Sequence, residues 1–143
     1  MVRLSKAKGQ YMSSKIISPL FIMIPLKTKA DKRFALNLNV YRNTHYQNLN
    51  KAKVLYKELM HSQIAALPVF DVVDVEFTFF PGARRRTDIG NVCSIHEKFF
   101  MDSLVECGKL LDDDYTRHPK TVYKFGEVDK HDPRVEIVIT ELQ

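Results

Sequence analysis

Cysteine is scarce in this chain, with two among 143 residues, and no C-x-x-C or H-E-x-x-H spacing accompanies them. The five histidines, His45, His61, His96, His118 and His131, are scattered. Both facts argue against structural zinc, which needs closely spaced sulfur and nitrogen ligands. Cys93 and Cys107 fall in one expected helix, where fourteen residues at about 1.5 Å each set them roughly 21 Å apart, beyond disulfide reach. Reduced thiols are therefore expected. No apolar run attains the roughly 18 residues that a membrane span requires. The basic stretch from Met1 to Ser14 is not followed by the long apolar region and cleavage site of a secretory signal. An intracellular protein with no membrane partner is the expectation.

What the chain does have is enough apolar residue for a core and an excess of positive charge. It is 45% hydrophobic and 27% charged, which suits one domain with a single core. Its 22 Lys and Arg outweigh 17 Asp and Glu, for a formal +5, and that balance favours a polyanionic partner without identifying one.

The Lys- and Ser-rich residues 1–15 read as a flexible basic N-terminal arm, leaving 16–143 as the folded domain. Ile16 to Ile24 is apolar, β-branched and stopped by Pro25, the pattern of a strand. Leu36, Leu38 and Val40 alternate with Asn37 and Asn39 inside a polar region, which reads as a short strand between loops. Ala52, Leu55 and Leu59 recur at helical spacing between about Leu49 and Ile64. The clearest strand lies within Val69 to Phe80, where Val73, Val75, Phe77 and Phe79 alternate with Asp74, Glu76 and Thr78 before Pro81-Gly82. A second helix is expected from Asn91 to Lys109, with Phe99 and Phe100 in the core, and two strands over Thr121 to Phe125 and Val135 to Leu142. The order indicates a single α+β domain, a small mixed or antiparallel sheet packed with two main helices.

Charged residues concentrate between Arg84 and Asp114. Arg84, Arg85 and Arg86 are followed by Asp88 and Asn91, then by Lys98 and Asp102 one helical turn apart, then by Asp112, Asp113 and Asp114. Arginines neutralise phosphates, and carboxylate oxygens are the hard ligands that Mg²⁺ requires, with Mn²⁺ able to substitute. A phosphodiester attacked by water gathers negative charge in its transition state. A metal held by Asp88 and the Asp112 to Asp114 run can activate the water, and Lys98 can meet the scissile phosphate as a point charge. The plainer alternatives are a surface ion pair for Lys98 and Asp102 and a solvated helix-exit loop for the aspartates. Tyr41, Arg42, Asn43 and His45 read equally well as a DNA-tracking segment or a turn-rich loop.

In order along the chain, Arg84 to Asn91, Lys98-Phe99-Phe100-Met101-Asp102-Ser103-Leu104, Gly108 and Asp112-Asp113 resemble the RusA family of Holliday-junction resolvases. That family shows an arginine run, a D-x-D-N element, a K-x-x-x-D-A-L helix, a glycine six residues beyond that aspartate, and an acidic pair. The Leu67-Pro68-Val69 entry to a strand and the closing Pro133 to Leu142 strand also fit. The resemblance covers Ile16 to Gln143 and is strongest from Pro81 to Asp114. It implies a Mg²⁺-dependent endodeoxyribonuclease that resolves four-way DNA junctions as a homodimer. Asp88, Lys98 and Asp113 would be catalytic, Asp88, Asp112 and Asp113 metal-holding, and Arg84, Arg85, Arg86 and Asn91 DNA-binding.

Two departures stand out. Gly90 occupies the place of the family's second aspartate, and seven positions separate Asn91 from Lys98 where the family has three. Four added residues turn a helix by about 400°, so Asn91, Lys98 and Asp102 still share a face. The insertion also brings in Glu97, a candidate for the missing metal ligand. The rival expectations are a branched-DNA-binding protein that lost catalysis with that aspartate, and a small RNA-associated or assembly protein whose carboxylates are surface charges.

Overall fold

Alternating apolar residues build a sheet here, and two long helices cover one of its faces. The computed structural model describes residues 3–6 and 12–142; residues 1–2 and 7–11, part of the expected arm, and Gln143 lie outside the described residues. In chain order the elements are β1 (Arg3–Lys6), β2 (Met12–Ser18), β3 (Phe21–Ile24), β4 (Lys32–Ala35), α1 (Leu38–Arg42), α2 (Tyr46–Ala65), β5 (Val73–Phe80), α3 (Ile89–Glu106), β6 (Lys120–Phe125) and β7 (Arg134–Glu141). The main sheet has the order β1-β2-β7-β5-β6, and β3 and β4 form a separate pair. Among the described residues only β5 and β6 run parallel, and the crossover between them is α3 with the loop that follows it. The fold is α+β.

Period-two patterning sets the register. Val73, Val75 and Phe77 of β5, Val135, Ile137 and Ile139 of β7, and Ser14, Ile16 and Ser18 of β2 turn to the buried side. The opposite side is polar, with Lys15 to Glu136 at 2.8 Å and Lys124 to Glu76 at 3.2 Å. Ala52, Tyr56, Met60 and Ile64 of α2, one helical turn apart, and Val92, Ile95, Phe99, Phe100 and Leu104 of α3 fill the layer above the buried face. Phe99 and Phe100 are core residues, as their place on a helix face suggests. Cys93 is buried and Cys107 half-buried, and both are free thiols.

Three local patterns read differently in the folded chain. The expected Ile16 to Ile24 strand is split: Pro19 has no N–H to continue a ladder, so β2 stops at Ser18 and β3 pairs with β4 instead. The expected strand at Leu36 to Val40 is the helix α1. Asn37, in extended conformation, accepts the Val40 N–H on its side chain at 2.9 Å and caps that helix. The sheet also extends into the stretch read as an arm, since Arg3–Lys6 pairs with Met12–Lys15 and β2 pairs with β7. Beyond the end of β1, the exposed edge of β2 is met by Gln63 of α2, which donates to the Ile17 carbonyl and accepts from the Ile17 N–H, both at 2.8 Å. Among the described residues no helix is long and apolar enough to cross a membrane.

Candidate functional site

Helix α3 carries candidate residues at both ends, and its length decides which of them can meet. At the N-terminal end, the turn after β5 is tight: a Cβ added at Gly82 would stand 3.2 Å from Pro133 Cβ. Arg84, Arg85 and Arg86 follow, exposed, and close no ion pair among the described residues. Their charge is thus available to an external anion. Asp88 is the N-cap of α3, its Oδ1 accepting the Gly90 N–H at 2.9 Å. A Cβ added at Gly90 would lie 3.3 Å from that same Oδ1. An aspartate there would crowd the cap and set a second negative charge beside it, so the glycine suits Asp88 in its capping role.

The C-terminal end is closed by Gly108, whose φ of +74° is one that only glycine adopts without cost. The Gly108 N–H bonds the Val105 carbonyl at 2.9 Å and the Lys109 N–H bonds the Leu104 carbonyl at 3.0 Å, the paired closure of a Schellman motif. The chain then turns into the aspartate run, and the three acids divide their tasks. Asp112 Oδ1 accepts the Asp113 N–H at 2.7 Å, and Asp114 Oδ1 accepts the Thr116 N–H at 2.9 Å. The Thr116 hydrogen bonds hold Asp114 below the usual carboxylate range. Asp113 instead lies near enough for its charge to act on Asp102. Burial, and after it the Asp113 charge, push the Asp102 carboxyl above its ordinary value, while Lys53 and Lys98 oppose that shift. Asp102 also lines a groove of about 450 Å³ between α2 and α3, with Lys53, Lys57 and Phe99 among its other walls.

Asn91, Lys98 and Asp102 lie within about 40° of one another around the helix, so they form one line along it. Lys98 and Asp102 close no ion pair among the described residues. The Lys98 ammonium lies over the Tyr41 ring of α1, 5.7 Å from its centroid. Glu97 points elsewhere: it accepts from the Thr121 hydroxyl at 2.6 Å and from the Tyr123 hydroxyl, both on β6, with His118 Nδ1 at 3.9 Å. Roughly 180° of helix rotation separates Glu97 from Asp88. The structure therefore does not bring Glu97 to the capping carboxylate as a replacement ligand.

The donor set matches Mg²⁺ in kind, since every candidate is a hard carboxylate oxygen. It does not match within one chain. Asp88 and Asp102 are fourteen helical residues apart, about 21 Å. Two oxygens on one Mg²⁺ lie within about 4 Å. Asp113 sits at the Asp102 end, so Asp88 and Asp113 of the same chain cannot share an ion. Among the described residues no group of three or more His, Cys, Asp or Glu side chains stands ready to hold a metal. Sequence reasoning missed the roles of Lys53 and Tyr41, because the groups that bracket Asp102 and Lys98 come from α2 and α1 and no local spacing announces them. Comparison with protein-family models and with curated proteins finds no match for this chain.

Proposed function

We propose that this protein is a Mg²⁺-dependent, structure-selective endodeoxyribonuclease that resolves four-way DNA junctions as a homodimer. The observation that supports the reading is the placement of basic and carboxylate side chains at the two ends of α3. Asp88 behind three arginines that close no ion pair among the described residues stands at one end; Asp102, within reach of the charges of Asp113, Lys53 and Lys98, stands at the other. A two-fold axis that sets two copies of α3 antiparallel brings the Asp88 end of one protomer to the Asp113 end of its partner. Such a dimer has two equivalent sites, which suits a substrate of approximate two-fold symmetry.

In that assembly Arg84, Arg85 and Arg86 neutralise backbone phosphates and Asn91 contacts the strand beside them. Asp88, with Asp113 and its neighbour Asp112 from the partner, would hold the metal. When bound, Mg²⁺ or Mn²⁺ supplies an activated water and offsets charge on the phosphoryl oxygens. Lys98 adds a fixed positive charge near the scissile group.

A second reading is favoured by one specific finding. Gly90 offers no carboxylate and Glu97 is engaged by β6, so the chain is also suited to bind branched DNA without cutting it. The separating experiment compares a four-way junction with linear duplex, each with and without Mg²⁺. Mg²⁺-dependent paired nicks confined to the junction support the nuclease. Tight junction binding with intact strands supports the binding protein, and equal affinity for both DNAs overturns both.

A further inference from the structure

Lys98 has a four-carbon stem and is exposed on α3, a setting in which a lysine ordinarily samples many rotamers. Here two groups restrict it. Asp102, one turn further along the same helix, attracts it electrostatically. Tyr41, fifty-seven residues earlier in the chain, presents its ring to the ammonium at 5.7 Å. Tyr41 is itself fixed: its ring stands edge-on to Phe99 with centroids 6.4 Å apart, and Phe99 is a core residue. The short helix that carries it is tied at both ends. Asn37 caps its start, and beyond its end the Asn43 side chain donates to the Asn39 carbonyl at 2.9 Å. A five-residue helix has little stability of its own. These ties hold one aromatic ring against α3.

We infer that Tyr41 is a positioning residue: its ring holds the Lys98 ammonium on the Asp102 side of α3, where the proposed cleavage needs a fixed positive charge. The inference rests on the nuclease reading for its consequence, but the contact itself is independent of it. A cation over an aromatic face is attracted by the ring quadrupole, and the hydroxyl contributes little to that attraction. The ring is therefore the required feature.

The test uses Tyr41→Phe, which keeps the ring and the Phe99 contact, and Tyr41→Leu, which keeps bulk alone. In single-turnover cleavage of a four-way junction with saturating Mg²⁺, Tyr41→Leu is expected to slow the chemical step about fivefold. Junction affinity should stay within about twofold. Tyr41→Phe should restore the wild-type rate. In a Lys98→Ala background, Tyr41→Leu should cost nothing further. Equal slowing by Phe and Leu, loss of affinity in proportion to rate, or an undiminished effect in the Lys98→Ala background would overturn the inference.

A second readout needs no cleavage. Lysines dimethylated with ¹³C keep their charge, and the Lys98 resonance, assigned through Lys98→Arg, should be displaced by the ring current. That displacement should persist in Tyr41→Phe and vanish in Tyr41→Leu. A Lys98 resonance indistinguishable from those of other exposed lysines overturns the inference whatever the activity. A wild-type protein that shows the displacement but cuts no junction overturns the nuclease reading and the catalytic purpose of the contact together, leaving only the contact.

Discussion

The two sides of α3 treat polar groups in opposite ways. On the inner side, Ser18 of β2 joins Tyr56 Oη at 2.8 Å and His96 Nδ1 at 2.7 Å, all three buried. A little further round, Glu97 takes hydroxyl hydrogens from Thr121 and Tyr123. On the outer side the charges of Lys98 and Asp113 act on Asp102, and none of the three closes an ion pair among the described residues. Polar groups taken out of water generally find partners, and the fold engages the inner set at every one of these atoms, leaving the other His96 ring nitrogen, Nε2, buried without one among the described residues. Charges near the surface face no such demand and stay open to a ligand. Motif spacing does not separate the two sets; what each carboxylate touches does.

The sharpest way to break this comparison is to remove charge from the open set. Asp88→Asn and Asp113→Asn should each lower junction cleavage at least about a hundredfold, because each loses a charge worth several kcal/mol to a metal-assisted transition state. Binding should hold or strengthen as repulsion of phosphates falls. Mixing the two inactive variants then tests the division along α3. If Asp88 of one protomer works with Asp113 of the other, each mixed dimer retains one intact site. Equal mixing should recover roughly a quarter of wild-type sites, and their product should be singly nicked junctions. No recovery on mixing would require both residues to act within one chain, against the helix length.

The inner set should reveal itself in stability. Burial lowers the His96 pKa to about 3, from an ordinary value of 6.5. The unfolded chain therefore takes up a proton that the folded chain refuses across that window. Stability is full above pH 6.5 and falls as pH drops toward 3, by about 1.4 kcal/mol per unit. Urea unfolding at pH 7 and pH 5 should differ by about 2 kcal/mol from this group. His96→Gln, which stays neutral and can still bond Ser18, should flatten that acid limb. An unchanged slope in His96→Gln would show that the histidine titrates normally in the folded protein.

Lys98→Ala returns to the open side with a smaller effect. Single-turnover cleavage should fall about tenfold or more, while affinity changes less than about threefold. Equal losses would make Lys98 a phosphate anchor.

How much of this was legible in the residues depended on whether the determinant was local. Four of the ten elements among the described residues follow periodicities visible in the sequence, because Val73 to Phe79 and Val135 to Ile139 alternate and apolar positions of α2 and α3 recur at helical spacing. α1 was hidden, since its Leu38 and Val40 mimic alternation and the deciding feature is one Asn37 cap. The break at Pro19 was written in the sequence and outweighed by the β-branched run around it. In the site, Gly108 and the line through Asn91, Lys98 and Asp102 follow from helix geometry. The separation of Asp88 from Asp113 also follows from helix length, yet motif matching treats residues close in a pattern as close in space. The partners of Lys98 and Glu97 come from α1 and β6, and no local spacing reaches them.

Glu97 offers the finest test of the two-sided view, since the sequence makes it a candidate metal ligand and the structure engages it with β6. Its two oxygens take the Thr121 and Tyr123 hydroxyl hydrogens, and its side chain retains about a quarter of its exposure, 26%. Burial and the Glu97 bond both keep the Tyr123 hydroxyl protonated, raising it above its ordinary value, so it remains a donor. In Glu97→Gln one oxygen still accepts, and the new amide must donate where a hydroxyl once donated. A hydroxyl can rotate to accept, and solvent reaches the group, so the expected loss is about 1 kcal/mol of stability. Tyr123→Phe should cost a similar amount, and the double variant less than the sum, because both remove one hydrogen bond. The Mg²⁺ concentration for half-maximal cleavage should not move, since Glu97 lies on the far side of α3 from Asp88. A rise in that concentration with unchanged stability would return Glu97 to the metal and place it on the open side of the helix.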